Sequence, residues 1–142
     1  MPTKRKSPIR KAIVTGGAKG FGVGIAQSLI DAGYRVWITG RDSRALDRIA
    51  KKIGATPFQA DVSSPKDWDK LIAEVKRAPG KFEVLVNNAG AGVKIAPAAK
   101  QSDAEIDTSI AINLTGAIYG CRRAAPLIVK AGGGTIVNIS SA

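Results

Sequence analysis

The segment 15–22, with the letters T-G-G-A-K-G-F-G, constrains the fold of this chain more than any other feature. A short apolar run, Ala12-Ile13-Val14, precedes it, and apolar residues at helical spacing follow it until Gly33. This order predicts a strand, a glycine turn and a helix. Such a turn presents free backbone N–H groups and the positive end of a helix dipole to an anion. Its glycines let the backbone come close to a phosphate.

Composition excludes several classes of protein. The 142 residues suffice for one domain with a core, and they contain no apolar run long enough for a membrane span. The single cysteine, Cys121, excludes an internal disulfide and fits a reducing, cytoplasmic setting. Histidine is absent, which excludes a Ser-His-Asp or Cys-His mechanism within the chain. We therefore expect no metal site built on histidine or on a cysteine cluster.

The positive charge is concentrated at the N-terminus. The net charge is +11, and the first eleven residues contain five cations and no acid. We expect residues 1–10 to form a basic flexible tail ahead of the first strand. Such a tail can contact nucleic acid or an anionic surface. Nucleic-acid binding is the less favoured interpretation, because no aromatic residue lies among these charges to stack on a base.

Five apolar segments read as strands, at 11–14, 34–39, 55–60, 82–86 and 135–140. Helical spacing predicts four helices between them, at 22–32, from Asp42 or Ser43 to 53, from Ser64-Pro65 to Pro79-Gly80, and at about 103–130. Strands that alternate with helices predict βαβ units, and so a parallel sheet with right-handed crossovers. The predicted domain covers residues 11–142.

Two of the predicted strand ends are rich in glycine and amides. In an open parallel sheet, ligands bind beyond the carboxyl ends of the strands, where the strand order reverses. An order of 3-2-1-4-5 puts this reversal between strands one and four. The glycine turn and the Asn-Asn-Ala-Gly segment at 87–90 are then neighbours. The sequence therefore predicts a nucleotide site between them.

Four motifs occur in order: T-G-x-x-x-G-x-G at 15–22, Asp61-Val62, the segment 87–90, and Asn-Leu-Thr-Gly from Asn113. With them the chain resembles the N-terminal portion of a classical short-chain dehydrogenase/reductase over residues 11–142. The resemblance implies an α/β fold, a Rossmann-type doubly wound parallel sheet of order 3-2-1-4-5, truncated after strand five. It also implies binding of NAD or NADP, with hydride transfer between nicotinamide and a small alcohol or carbonyl substrate.

The resemblance assigns roles by position. Asp61 would bond the adenine amino group, with the Val62 backbone beside it, and Asn113 would hold a water of the proton relay through its carbonyl. Ser141, rather than Ser140, would orient the substrate carbonyl. The remaining cofactor residues lie in the glycine loop, where they would line the pyrophosphate, and at the end of strand four, beside the adenosine: Gly16, Lys19, Gly20, Phe21, Gly22, Asn87, Ala89 and Gly90.

Each role has a structural alternative. Asp61 could cap a turn, Asn87 and Asn88 could satisfy loop backbone, and Ser141 could be inert. Asn113 is unfavourable in a helix interior by propensity, which favours a role in the site.

Charges near the second strand favour NADP(H) over NAD(H). An enzyme that selects NAD usually has an acid at the end of this strand to bond the ribose hydroxyl. Here Gly40 occupies that place, Arg41 follows it, and Lys19 lies in the glycine loop. Two cations near one ribose favour a 2′-phosphate. The competing acid, Asp42, lies two places further on, and we interpret it as a helix cap.

The family's Tyr-x-x-x-Lys acid–base pair is missing from the chain. Tyr34 is followed four residues later by Ile38, and Tyr119 by Arg123. We expect the 142 residues alone to be inactive, as the cofactor half of a longer oxidoreductase. The alternative is a catalytically incomplete nucleotide-binding or interaction module. The resemblance also implies that the helix at 103–130 packs against another subunit, giving a homodimer or homotetramer for the full-length protein.

Overall fold

A five-stranded parallel sheet forms the centre of the molecule. The computed structural model describes residues 7–91 and 95–141. The strand order is β3-β2-β1-β4-β5, and every neighbouring pair is parallel, which confirms the predicted order. The strands are β1 (Arg10–Val14), β2 (Tyr34–Gly40), β3 (Thr56–Gln59), β4 (Lys81–Asn87) and β5 (Thr135–Asn138).

Three of the five helices among the described residues begin after a short polar side chain that caps them. The five helices are α1 (Gly20–Asp31), α2 (Ser43–Ile53), α3 (Pro65–Arg77), α4 (Asp103–Ile110) and α5 (Gly116–Lys130). Asp42 caps α2 by accepting a hydrogen bond from the N–H of Ala45 at 3.1 Å. Ser64 caps α3, and Ser102 forms a capping box with Glu105 at the start of α4. These contacts satisfy N–H groups that the helix itself leaves unpaired.

The helix predicted at 103–130 is two helices joined by a π-helical turn. The turn, Ala111–Thr115, separates α4 from α5 and closes with a bond from the N–H of Gly116 to the carbonyl of Ala111. Apolar side chains continue at four-residue spacing through this turn, so the sequence pattern does not reveal it. A single π turn within a helix often marks a functional site.

Two apolar layers cover the sheet, one on each face. Successive strand side chains point to opposite faces. On one face, Ile13 and Trp37 therefore pack with Leu71 of α3 and with the buried side of α5. Val14 and Ile38 pack on the other face, below α1 and α2. Burial on both faces is what a doubly wound sheet requires, and it fixes the register of the central strands.

The first strand starts earlier than predicted. Arg10, assigned above to the tail, begins β1, and its guanidinium donates hydrogen bonds to the Tyr34 hydroxyl at 3.2 Å and the Ala32 carbonyl at 2.6 Å. The carbonyl of Ile9 accepts from the N–H of Lys81 at 2.8 Å. Residues 9 and 10 thus belong to the amino-terminal end of the sheet's central strand rather than to a tail, because the carbonyl of Ile9 and the side chain of Arg10 are hydrogen-bonded there. The expected flexibility of residues 1–6 lies outside the described residues.

Lys11 is a buried cation in the sheet. Only 3% of it is exposed. Its ammonium group donates to the carbonyls of Val75 and Ala78 at the end of α3, at 2.7 Å each. Burial lowers the pKa of Lys11, and the nearby charge of Arg35 lowers it further. The carbonyl end of a helix is a favourable place for a cation, so these two bonds offset part of the cost of burying the charge.

Within the described ranges, the model contains no helix that is both long and apolar enough to cross a bilayer.

Candidate functional site

A cavity opens where the strand order reverses. β1 lies between β2 and β4, and the carboxyl ends of all three strands meet at its floor. The cavity has a volume of about 660 Å³, within the usual range for small-molecule sites. The sequence-predicted residues that line it are Gly16, Lys19, Gly20, Phe21, Arg41, Asp61, Val62, Ala89 and Gly90. Residues predicted from four separate parts of the chain thus share one cavity.

The glycine loop packs tightly against the end of β4. Gly16 has a φ of 65°, in the left-handed region that favours glycine. A Cβ atom at Gly16 would lie 2.8 Å from the Cα atom of Ala89, so a larger residue would push the two segments apart. The N–H of Gly17 donates to the carbonyl of Thr39 at 3.0 Å, which ties the loop to β2 as well.

The start of α1 leaves backbone donors free at the cavity. Unlike α2, α3 and α4, α1 has no side-chain cap at its N-terminus. Among the described residues, no backbone acceptor is found for the N–H groups of Ala18, Lys19 and Gly20. Unpaired donors at the positive end of a helix dipole are the arrangement that binds phosphate groups.

Thr15 and Asn88 hold the loop against β4. The hydroxyl oxygen of Thr15 accepts hydrogen bonds from the N–H groups of Asn88 and Ala89, both at 3.0 Å. The Asn88 amide returns two bonds, to the carbonyls of Thr15 at 3.1 Å and Gly16 at 3.2 Å. The sequence places both residues within motifs without a separate role for Thr15, and Asn88 satisfies loop backbone, as the structural alternative for Asn87 and Asn88 suggested. The signal was a threonine and an asparagine placed directly after the two strands that flank the reversal.

Gly22 and Asn87 do not line the cavity, which corrects the expectation for both. A Cβ atom at Gly22 would lie 2.1 Å from the carbonyl oxygen of Gly16, so this glycine packs underneath the loop. The Asn87 side chain is 6% exposed and faces α5 instead. Its amide donates to Asn138 at 2.8 Å and more weakly to the carbonyl of Ala117 at 3.4 Å. Side chains alternate along a strand, so Asn87 and Asn88 must face different ways.

Asp61 presents an ionised carboxylate after β3. One of its oxygens accepts from the hydroxyl of Ser63 at 2.7 Å and from the Ser63 N–H at 2.9 Å. The Ser63 hydroxyl lowers the pKa of Asp61 below 3.8 against the opposing effect of burial, and the Ser63 N–H and the charge of Arg41 lower it further. Asp61 thus caps its own turn, as the structural alternative suggested. Its second oxygen has no partner among the described residues, so it remains available to accept a hydrogen bond.

Basic residues surround the cavity beside β2. Lys19 and Arg41 line it together with Gly40, as the sequence predicted. The competing acid, Asp42, is engaged in capping α2, which confirms that interpretation. A further cation, Arg48 of α2, also lines the cavity and was not anticipated.

The two residues assigned to catalysis lie outside this cavity. Asn113 sits in the π turn, and its amide both accepts from the N–H of Ala91 at 3.2 Å and donates to the Ala91 carbonyl at 3.3 Å. This pair of bonds joins the segment after β4 to the turn between α4 and α5. Ser141 is exposed, three residues beyond the end of β5. Because Asn138 pairs with Asn87, β5 delivers Ser141 to the same edge of the sheet as the cavity.

Comparison with known proteins identifies relatives that match nearly the whole of this chain. The family model for short chain dehydrogenases matches residues 10–142. The NADP-dependent (R)-specific alcohol dehydrogenase of Lentilactobacillus kefiri is 35% identical over 135 residues, which cover 92% of this chain and 53% of that protein. Oxidoreductase asL5 of Sarocladium schorii is also 35% identical, over 90% of this chain and 52% of that protein.

Solved structures show the same fold. A metagenomic short-chain oxidoreductase in complex with NADP matches with a TM-score of 0.88 and 36% identity, over 94% of this chain and 62% of that chain. The chain spans about half the length of the curated relatives it matches. A family model over nearly all of the sequence, together with the shared parallel sheet, shows that this chain belongs to the short-chain dehydrogenase family and has its Rossmann-type fold.

Proposed function

We propose that this chain forms the cofactor-binding part of an oxidoreductase that transfers hydride between NADP(H) and a small alcohol or carbonyl substrate. The observation that carries the proposal is a single cavity bordered by free loop amides on one side and by unneutralised cations on the other. Among the described residues, no carboxylate lies within 4.0 Å of the charged groups of Lys19 and Arg41.

The residues present fit the parts of a phosphorylated dinucleotide. The N–H groups of Ala18, Lys19 and Gly20 suit the pyrophosphate. The free carboxylate oxygen of Asp61 suits the adenine amino group, and Arg41 suits a 2′-phosphate. The absence of a carboxylate at Gly40 removes the usual partner of an unmodified ribose hydroxyl.

The bound nicotinamide would accept or donate the hydride, and the protein would orient the substrate and transfer protons. We propose that Ser141 hydrogen-bonds the substrate oxygen and that the Asn113 backbone orients a water near it. Neither tyrosine of the chain has a lysine four residues later, so the chain itself lacks the expected acid–base pair. We propose that turnover requires such a pair in addition to these residues, which bind the cofactor.

Fluorescence titration with NADPH and NADH tests the cofactor. We expect NADPH to bind at least about 10-fold more tightly, since the phosphate gains charge-assisted hydrogen bonds. Equal or tighter binding of NADH by the unaltered chain would contradict the proposal.

Substitution of Gly40 sharpens this test. A Cβ atom there would meet Leu46 and Ala18 at ordinary contact distances of 3.6 and 3.7 Å, so the site can accept a side chain. Gly40→Asp should reverse the preference toward NADH, because the carboxylate repels the phosphate and accepts from the ribose hydroxyl. Gly40→Asn, of the same shape without the charge, should not reverse it. Retention of the NADPH preference in Gly40→Asp would mean that the phosphate lies elsewhere.

The second candidate is a nucleotide-binding or interaction module. It predicts the same cofactor affinity with no oxidation of NADPH in the presence of carbonyl compounds, even in the natural full-length protein. Turnover by that protein would exclude the module.

We also propose that the full-length protein is a homodimer or homotetramer. Four exposed apolar residues follow one another at four-residue spacing along α4, the π turn and α5: Ile106, Ile110, Leu114 and Ile118. Leu114→Asp should release monomers in light scattering of the full-length protein. The control is Lys51→Asp, at an exposed position of α2, which covers the opposite face of the sheet from α5. An unchanged mass for Leu114→Asp would contradict the proposed interface.

A further inference from the structure

We propose that Arg48 is a third cation of the 2′-phosphate site and sets how strongly the protein prefers NADP(H) to NAD(H). This inference rests on the proposed function. It assigns a specificity role to a residue of α2 that lies outside the glycine loop and outside the turn that follows β2.

The face of α2 that meets the cavity brings Arg48 to it. Ala45 and Arg48 are three residues apart, hence on one side of the helix, and both line the cavity. Helical side chains lean toward the N-terminus of their helix, which directs the Arg48 side chain toward the end of α2 where Asp42 and Ala45 line the cavity. Arg44, on the same helix, does not line the cavity.

The charge of Arg48 is not used by the protein itself. Within the described ranges, its guanidinium has neither a carboxylate within 4.0 Å nor a hydrogen-bond partner. The two carboxylates that line the cavity are engaged elsewhere, Asp42 with the N–H of Ala45 and Asp61 with Ser63. Arg48 is also exposed, so folding does not depend on its burial.

An arginine suits this place for a chemical reason. A guanidinium offers parallel N–H donors that match two oxygens of one phosphate, whereas an ammonium group binds as a point charge. Lys19, Arg41 and Arg48 approach the cavity from the loop, the strand end and the helix. Three cations from three elements can surround a dianionic phosphate and have no comparable partner on an unphosphorylated ribose.

Titration of Arg48→Ala, Arg48→Lys and the matched control Arg44→Ala with NADPH and NADH tests the inference. Arg48→Ala should weaken NADPH binding about 10-fold and change NADH binding less than about 2-fold. Arg48→Lys should fall between, and Arg44→Ala should keep both affinities. Adenosine 2′,5′-bisphosphate and 5′-AMP serve as probes without nicotinamide. Arg48→Ala should weaken the binding of the bisphosphate and leave the binding of 5′-AMP unchanged. Circular dichroism establishes that each variant is folded.

The outcomes separate this inference from the proposed function. If the unaltered chain prefers NADPH and Arg48→Ala keeps the full preference, the role of Arg48 is overturned while the proposed function stands. An equal loss in Arg44→Ala would overturn it too, since it would indicate a diffuse effect of charge. If the unaltered chain binds neither cofactor, or both equally, the proposed function fails and this inference fails with it.

Discussion

A single methyl group at Gly22 tests how tightly α1 packs against the glycine loop. In Gly22→Ala the new Cβ atom would lie 2.1 Å from the carbonyl oxygen of Gly16 and 2.7 Å from the Asn88 amide nitrogen. Contact with a backbone atom cannot be relieved by a side-chain rotation, so the loop must move away from α1. Overpacking of this kind costs about 1–3 kcal/mol, and alanine in a helix returns less than about 1 kcal/mol of that.

Gly24 in the same helix provides the matched control, since a Cβ atom there would meet nothing within 4 Å. Gly24→Ala should raise the free energy of unfolding by about 0.5–1 kcal/mol, and Gly22→Ala should lower it by about 1–2 kcal/mol. Urea denaturation resolves this difference. Gly22→Ala should also weaken NADPH binding, because the displaced loop carries the phosphate-binding amides. Equal stability of the two variants would refute the proposed packing of α1 against the loop.

Other parts of the molecule give three further predictions. Thr15→Val leaves the two N–H groups after β4 without an acceptor and should lower the free energy of unfolding by about 2 kcal/mol in urea denaturation; a loss below about 0.5 kcal/mol would contradict this. The pKa of Lys11 is lowered from 10.5, so the unfolded chain binds more protons just below that pH. Stability should therefore rise as pH approaches 10.5, and Lys11→Met should lose this rise when unfolding is measured from pH 8 to 10.5. Asp61 has a pKa below 3.8, so its contribution to stability is present above that pH and is lost on further acidification. Ser63→Ala should raise the carboxyl pKa in an NMR titration, and an unchanged value would exclude the Ser63 hydroxyl as the cause.

The topology followed from the sequence because its signals are local and agree with one another. Apolar runs and helical spacing alternate along the chain, and glycine ends several helices, as the left-handed φ of 90° at Gly33 illustrates. The order of the strands came from the family resemblance, since the connection rules fix the handedness of the crossovers but not the strand order. The π turn escaped prediction because apolar residues such as Ile110 and Leu114 keep their spacing through it. The early start of β1 escaped because Arg10 and Lys11 are charged, and only the tertiary structure supplies their partners.

The site was predictable where the backbone carries the chemistry. Gly16 and Gly20 line the cavity, and the glycine loop became informative because three further motifs followed it in order. Prediction failed where a side chain could face two ways: Asn87 and Asn88 are adjacent, and only the register of β4 decides which reaches the loop. Arg48 escaped because one cation on a basic, exposed helix carries no pattern of its own.

Chemical-shift mapping of the isotope-labelled chain during titration with NADPH tests the central claim most directly. The account predicts saturable changes at the amides of Ala18, Lys19 and Gly20, and near Arg41 and Asp61, with little change at Cys121 within α5. NADH should shift the loop amides at higher concentrations and affect Arg41 less. Changes centred on α5, or none in the glycine loop at saturating NADPH, would contradict the assignment of this cavity to the cofactor.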